Sequence, residues 1–133
     1  MDAMEISASA LTAERTRMNL ISSNLANVNS TRTAEGGPYR RKDAIFAATM
    51  DEASDKMSGG VKIVDIVEDK SPPRLQYEPS HPDSDAKGYV AYPNVNVVEE
   101  MADMISATRA YEANMTAAKS SMDMQMKALE ILK

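Results

Sequence analysis

The sequence predicts a mainly α protein: long N- and C-terminal helices pair as a coiled coil, with a small β-rich insert between them. Three observations predict it. All six prolines and all five glycines fall between residues 36 and 93, so both flanks are free of helix breakers. Apolar residues recur at seven-residue intervals in each flank, which places them on one helix face. Five of the six aromatic residues lie in the centre, where short apolar runs alternate with turn-forming clusters. The chain divides into an N-terminal helix and loop (1–35), a small β-rich domain (36–93) and a C-terminal helix (94–133) that pairs with the first.

The first helix opens with Asp2 and Glu5 at the spacing of a capping box. Met4, Leu11, Met18 and Leu25 form its stripe, flanked by Ile21 and Val28. It is expected to fade at Asn27, Asn29 and Ser30, residues whose side chains compete for backbone partners. In the centre, YRRKDAIFAATM, GVKIVDIVED, RLQYE and GYVAY have the composition of short strands. Pro72-Pro73 and the Pro79–Pro82 segment impose extended or turn backbone between them. The second helix starts after Pro93, with Asn96 as N-cap and Glu99 three residues later. Its stripe is Met101, Thr108, Met115, Met122 and Leu129, with Ile105, Tyr111, Ala118, Met126 and Leu132 in the adjacent row.

Composition narrows the function. One Phe, no Trp and eleven Met imply an aliphatic, adaptable core. A net charge of −5 without a basic stretch excludes tracking of a nucleic-acid backbone. The one tight basic cluster, Arg40-Arg41-Lys42, is followed by Asp43 and reads as a solvated strand edge. The absence of cysteine excludes disulfides, thiolate metal sites and cysteine nucleophiles. No segment has the apolar length needed for membrane insertion.

No enzyme is expected, and no cofactor or metal. His81, the sole histidine, lies between prolines in a polar loop, without the partners that catalysis or zinc would need. Glu99 and Glu100 diverge by about 100° on a helix and cannot face one substrate. Their position at a helix start suits the positive end of the dipole. Six of the eleven methionines lie on the second helix, the composition of an interface that can repack against different partners.

Length makes the same point. A helix over 97–132 would run roughly 54 Å, whereas a compact chain of this size is about 36 Å across. The first helix, at roughly 40 Å, covers only part of it. The rest of the stripe needs another molecule. Either a structural subunit or a helical adaptor or secretion chaperone that binds partner helices would meet that need.

Certain segments are familiar. SSNLANVNS (22–30) and PYRRKDAIF (38–46), together with NVNVVEEMADMISATRAYEANM (94–115), resemble the paired terminal signatures of bacterial flagellar rod and hook proteins. The resemblance implies a structural subunit whose terminal helices line a hollow helical rod, with the central domain further out. It implies head-to-tail assembly with copies of itself and with the rod proteins FlgB, FlgF and FlgG, in the heterologous geometry that yields filaments. It also implies export through the flagellar type III apparatus without a cleaved signal, and a place in the periplasmic part of the basal body. Relatives usually carry a few more apolar residues ahead of the stripe, so a shorter export segment is expected here.

Carried onto this chain, the motif positions are Asn24, Leu25, Ala26 and Asn27, then Asn94, Asn96, Glu99 and Glu100, then Tyr111, Glu112 and Asn114. The asparagines are expected to satisfy backbone at helix ends. The expected coiled-coil and subunit-contact residues are Met4, Leu11, Met18, Ile21, Leu25, Met101, Ile105, Thr108, Tyr111, Met115, Met122, Met126 and Leu129. Arg109 and Glu112 join them as an ion pair, either within the helix or between subunits.

Overall fold

A computed structural model describes residues 3–51 and 56–132. Its elements are α1 (Ala3–Ala26), β1 (Lys42–Asp51), β2 (Lys56–Glu68), β3 (Arg74–Tyr77), β4 (Tyr89–Tyr92) and α2 (Val97–Ile131). The architecture is two long helices with a β insert between them in sequence. Asp2, half of the expected capping box, lies outside the described residues.

α1 ends where its asparagines compete for backbone. Asn27 Nδ2 donates to Ser23 O at 2.8 Å, and Ser30 Oγ donates to Asn27 Oδ1 at 3.0 Å. At the start of α2, Asn96 accepts from Val98 N and Glu99 N at 3.1 and 3.4 Å, satisfying two of the orphan amides there.

β1 and β2 form an antiparallel hairpin running from Lys42 opposite Glu68 to Ala48 opposite Val61. Val64 is an extra residue on β2, so the ladder shifts between Ile45 and Phe46. β3 and β4 form a second antiparallel pair, with Tyr77 opposite Tyr89 and their rings edge-on at 5.4 Å. Gly88 takes a φ of +84°, and a Cβ there would lie 2.8 Å from the Tyr77 ring, so both backbone and space require glycine.

α1 is the middle layer. One side takes the hairpin: Val61 N donates to Ser9 Oγ at 3.1 Å, and a Cβ on Gly59 would stand only 3.0 Å from Ile6 Cδ1. The other side takes α2, through Asn24 with Glu100, Arg17 with Asp103 and Met18 with Thr108. The buried apolar set is small: Ala13, Ile21, Val90, Val95 and Ala107.

Which face of α2 meets α1 differs from the sequence expectation. The covered positions are Glu100, Met104, Ala107, Tyr111, Asn114, Ala118 and Ser121, at alternating spacings of four and three. This is a second seven-residue series on the same helix, mostly of small or polar residues, with Met104 and Tyr111 as its larger members. Small side chains allow close helix approach, and the polar ones find partners there. The methionine stripe points elsewhere.

Candidate functional site

Two features stand out: a polar junction where all the segments meet, and the apolar stripe on the outside of α2.

The junction is built around Asn24, at the end of α1 and 1% exposed. Its carboxamide does for Lys42 what a neighbouring strand would do. Nδ2 donates to Lys42 O at 2.9 Å and Oδ1 accepts from Lys42 N at 3.0 Å. Nδ2 also donates to Glu100 Oε2 at 3.1 Å, and Oδ1 accepts from Tyr39 OH at 2.9 Å. Asn24 thus satisfies backbone, as expected, but that of β1 rather than of its own helix.

Asn94 does the same on the other side. Its Oδ1 accepts from Arg41 N at 3.0 Å, and its Nδ2 donates to Asp69 O and Ser71 O at 3.1 and 3.2 Å. The strand predicted from Tyr39 begins only at Lys42, and the Arg41 amide ahead of it is taken by the Asn94 side chain.

Glu100 and Arg41 correct two expectations. Glu99 is exposed, but Glu100 is fully buried, which the helix-dipole reading does not explain. A buried carboxylate needs a counter-charge and hydrogen bonds, and Arg41 Nε supplies both on Oε1. Arg41 is thus no solvated strand-edge residue. Its other nitrogens lie 3.4 Å from Asp43 Oδ2 and 3.6 Å from Asp103 Oδ2, and Asp103 in turn lies 3.8 Å from Arg17 of α1. Burial pulls the Arg41 pKa down, but the hydrogen bond to Glu100 and the charges of Glu100 and Asp43 outweigh it. The guanidinium stands above its ordinary value.

The stripe is exposed. Met101 and Met126 are 56% and 57% exposed, and Ile105, Met115, Met122 and Leu129 are similarly open. Thr108 is half-buried: its hydroxyl donates to Met104 O at 2.8 Å, and Met18 Sδ lies 3.7 Å from the same oxygen. Every described residue after Ser121 is exposed. On α1, Ile21 is buried, Leu11, Met18 and Leu25 are half-buried, and Met4 and Ala26 are exposed. Tyr111 and Asn114 are half-buried, with Asn114 Nδ2 bonded to Ala110 O at 2.8 Å. Arg109 and Glu112 are both exposed, and no ion pair joins them to each other or to another described residue.

Sequence reasoning missed Arg41, Asp103 and the small seam residues Ala107 and Ser121. The available signal was the Arg40-Arg41 pair, of which Arg40 is exposed and Arg41 turns inward. His81 is half-buried, accepts from Asp83 N at 3.0 Å and lies edge-on to Tyr92. Among the described residues, no group of three or more His, Cys, Asp and Glu could hold a metal, and no helix is long and apolar enough to cross a membrane.

Residues 4–32 match the family described as "Flagella basal body rod protein", and residues 86–131 match "Flagellar basal body rod FlgEFG protein C-terminal". Asn24 falls within the first matched segment and Asn94, Glu100 and Asp103 within the second, with Arg41 between the two. Full-length relatives agree. The flagellar basal-body rod protein FlgC of Borreliella burgdorferi is 48% identical, over 97% of this chain and 95% of its own. The FlgC proteins of Bacillus subtilis and of an Escherichia coli O6:H1 strain are 46% and 42% identical, over 96% and 98% of this chain and 95% and 96% of theirs.

The chain belongs to the FlgC family of flagellar basal-body rod proteins. As a rod protein it is a structural subunit of the flagellar basal body and associates with other components there. The relatives are structural proteins rather than enzymes. The hairpin, which lies outside both matched segments, is held to them by Asn24 and Arg41.

Proposed function

We propose that this rod protein is a subunit of the proximal rod. It assembles head-to-tail with FlgB, FlgF, FlgG and copies of itself into a hollow helical drive shaft that transmits torque and surrounds the export channel. It reaches its periplasmic position through the flagellar type III apparatus, without a cleaved signal. One observation carries the reading: α2 presents Met101, Ile105, Met115, Met122, Met126 and Leu129 to the outside, while its other seven-residue series is spent on α1. A helix with two such series is built to pair twice, once within the chain as a coiled coil and once beyond it. Arg109 and Glu112, flanking the half-buried Tyr111 and without an ion pair among the described residues, suit partners on neighbouring subunits.

The test is mass spectrometry of the washed rod fraction from purified basal bodies. The chain is expected there at the level of a rod component. Recovery only from the cytoplasm, as a defined small oligomer, would support a helical adaptor or chaperone instead.

A further inference from the structure

The hairpin and α2 do not touch through their backbones. Among the described residues, no Cα of β1 or β2 comes within 8 Å of a Cα of α2, whereas both strands pack on α1. What crosses the gap is a side chain. Arg41, the residue before β1, reaches α2 with its full length, bonding Glu100 through Nε and approaching Asp103 at 3.6 Å. Its root is fixed as firmly as its tip. The Arg41 amide donates to Asn94 at 3.0 Å, and its carbonyl accepts from Asp69 N at 2.8 Å.

We infer that Arg41 is a strut, the positioning residue that sets the orientation of the β1–β2 hairpin relative to α2. A planar guanidinium bonded at one nitrogen and near carboxylates at the others resists rotation, which a flexible ammonium at the same place would not. Asn24 cannot replace it. Asn24 grips only the first residue of β1, and Ser9 and Ile6 seat the hairpin against α1, so the direct tie from the hairpin's root to α2 is Arg41. The inference deepens the rod reading, because the hairpin's angle to α2 then decides how the insert meets its neighbours when the outer stripe is packed.

The chain contains no cysteine, so spin labels can be placed cleanly. Cysteines introduced at exposed Val64 on β2 and exposed Met115 on α2 report the angle through their distance distribution by pulsed electron resonance. A narrow distribution is expected with Arg41 present, widening about twofold in Arg41→Ala while circular dichroism holds its helix content. Arg41→Ala strands the buried Glu100 charge, so Arg41→Ala with Glu100→Gln is measured beside it. Glutamine removes the charge yet still accepts from Asn24. The pair is expected to fold and to remain wide, and Arg41→Lys to fall between. An unchanged narrow distribution in the folded double variant overturns the strut. These distances are read on the isolated protein, so failure of the rod reading, scored separately by the absence of the chain from basal bodies, cannot be confused with failure of the strut.

Discussion

Asn24 Nδ2 lies 3.1 Å from Glu100 Oε2, joining the last turn of α1 to the first turn of α2 across 76 positions of sequence. The same carboxamide holds both backbone groups of Lys42. Replacing Asn24 by alanine leaves those part-buried groups and the buried Glu100 carboxylate short of partners and is expected to cost on the order of 3 kcal/mol. Asn24→Asp should be worse, since it loses the donor and faces Glu100 with a like charge. Urea midpoints rank the two variants; a ranking with aspartate milder would discard the like-charge contact with Glu100 as the dominant effect.

Arg41 and Glu100 are unequal partners. Removing the arginine leaves a fully buried carboxylate uncompensated, for which about 3–5 kcal/mol is typical. Glu100→Gln removes the charge but keeps an acceptor for Asn24, so a smaller loss is expected. In a double-mutant cycle by urea denaturation, Glu100→Gln should recover part of the loss caused by Arg41→Ala. Additive losses would show that the two side chains act separately.

Met115→Lys separates the fold from the assembly. The side chain is half exposed, so the isolated protein should change by no more than about 0.5 kcal/mol in chemical denaturation. In the rod, an ammonium in the outer stripe would be desolvated without a partner. Swimming is expected to fail while secretion of the chain continues. Normal swimming would remove Met115 from the subunit contact.

Arg109 and Glu112 are tested by reversal. Their one-turn spacing would be worth only about 0.2–0.5 kcal/mol as a pair within the helix. Arg109→Glu and Glu112→Arg are each expected to abolish or strongly reduce motility, and the double reversal not to restore it, as separate partners on neighbouring chains require. Near-normal swimming of either single variant, or recovery in the double, removes the inter-subunit reading.

Asp83 gives a pH dependence of known sign. The Thr31 hydroxyl at 2.8 Å holds its carboxyl below the ordinary 3.8; burial opposes this and Arg32 adds to it. A depressed folded-state pKa means that the tie between the loop after α1 and the loop between β3 and β4 is fully present above 3.8. It is lost as pH falls through the folded value. A carboxyl titration by NMR should place Asp83 below 3.8 in the native protein, and Thr31→Val should move it upward. A midpoint unaffected by Thr31→Val would discard the hydroxyl as the cause.

The elements were legible because their signals are local. Asn96 caps α2 with bonds to amides two and three residues away, and Asn27 closes α1 over Ser23. Confinement of proline and glycine to 36–93 marked the insert, and apolar, β-branched runs marked its strands. The junction was not legible, because Arg41 meets Glu100 across 59 positions and neither residue's neighbours announce it. The inner face of α2 was hidden for another reason. Two seven-residue series share the helix, and hydrophobicity selects Met101, Met115 and Met122 over Ala107, Asn114 and Ser121. A search for burial by apolarity finds the face meant for the larger assembly, since within one chain small side chains and satisfied polar groups suffice to bring two helices together.

The separation of Asn24 from Glu100 also has a kinetic side. A ribosome adding about 5–20 residues per second completes α1 some 4–15 seconds before the first turn of its partner exists. The β1–β2 hairpin forms in microseconds once made and can shelter one side of α1 during that wait. The side destined for α2 stays uncovered until the chain is nearly finished. Arg17 and Asn24, which later meet Asp103 and Glu100 there, present little that would stick to another nascent chain while they wait.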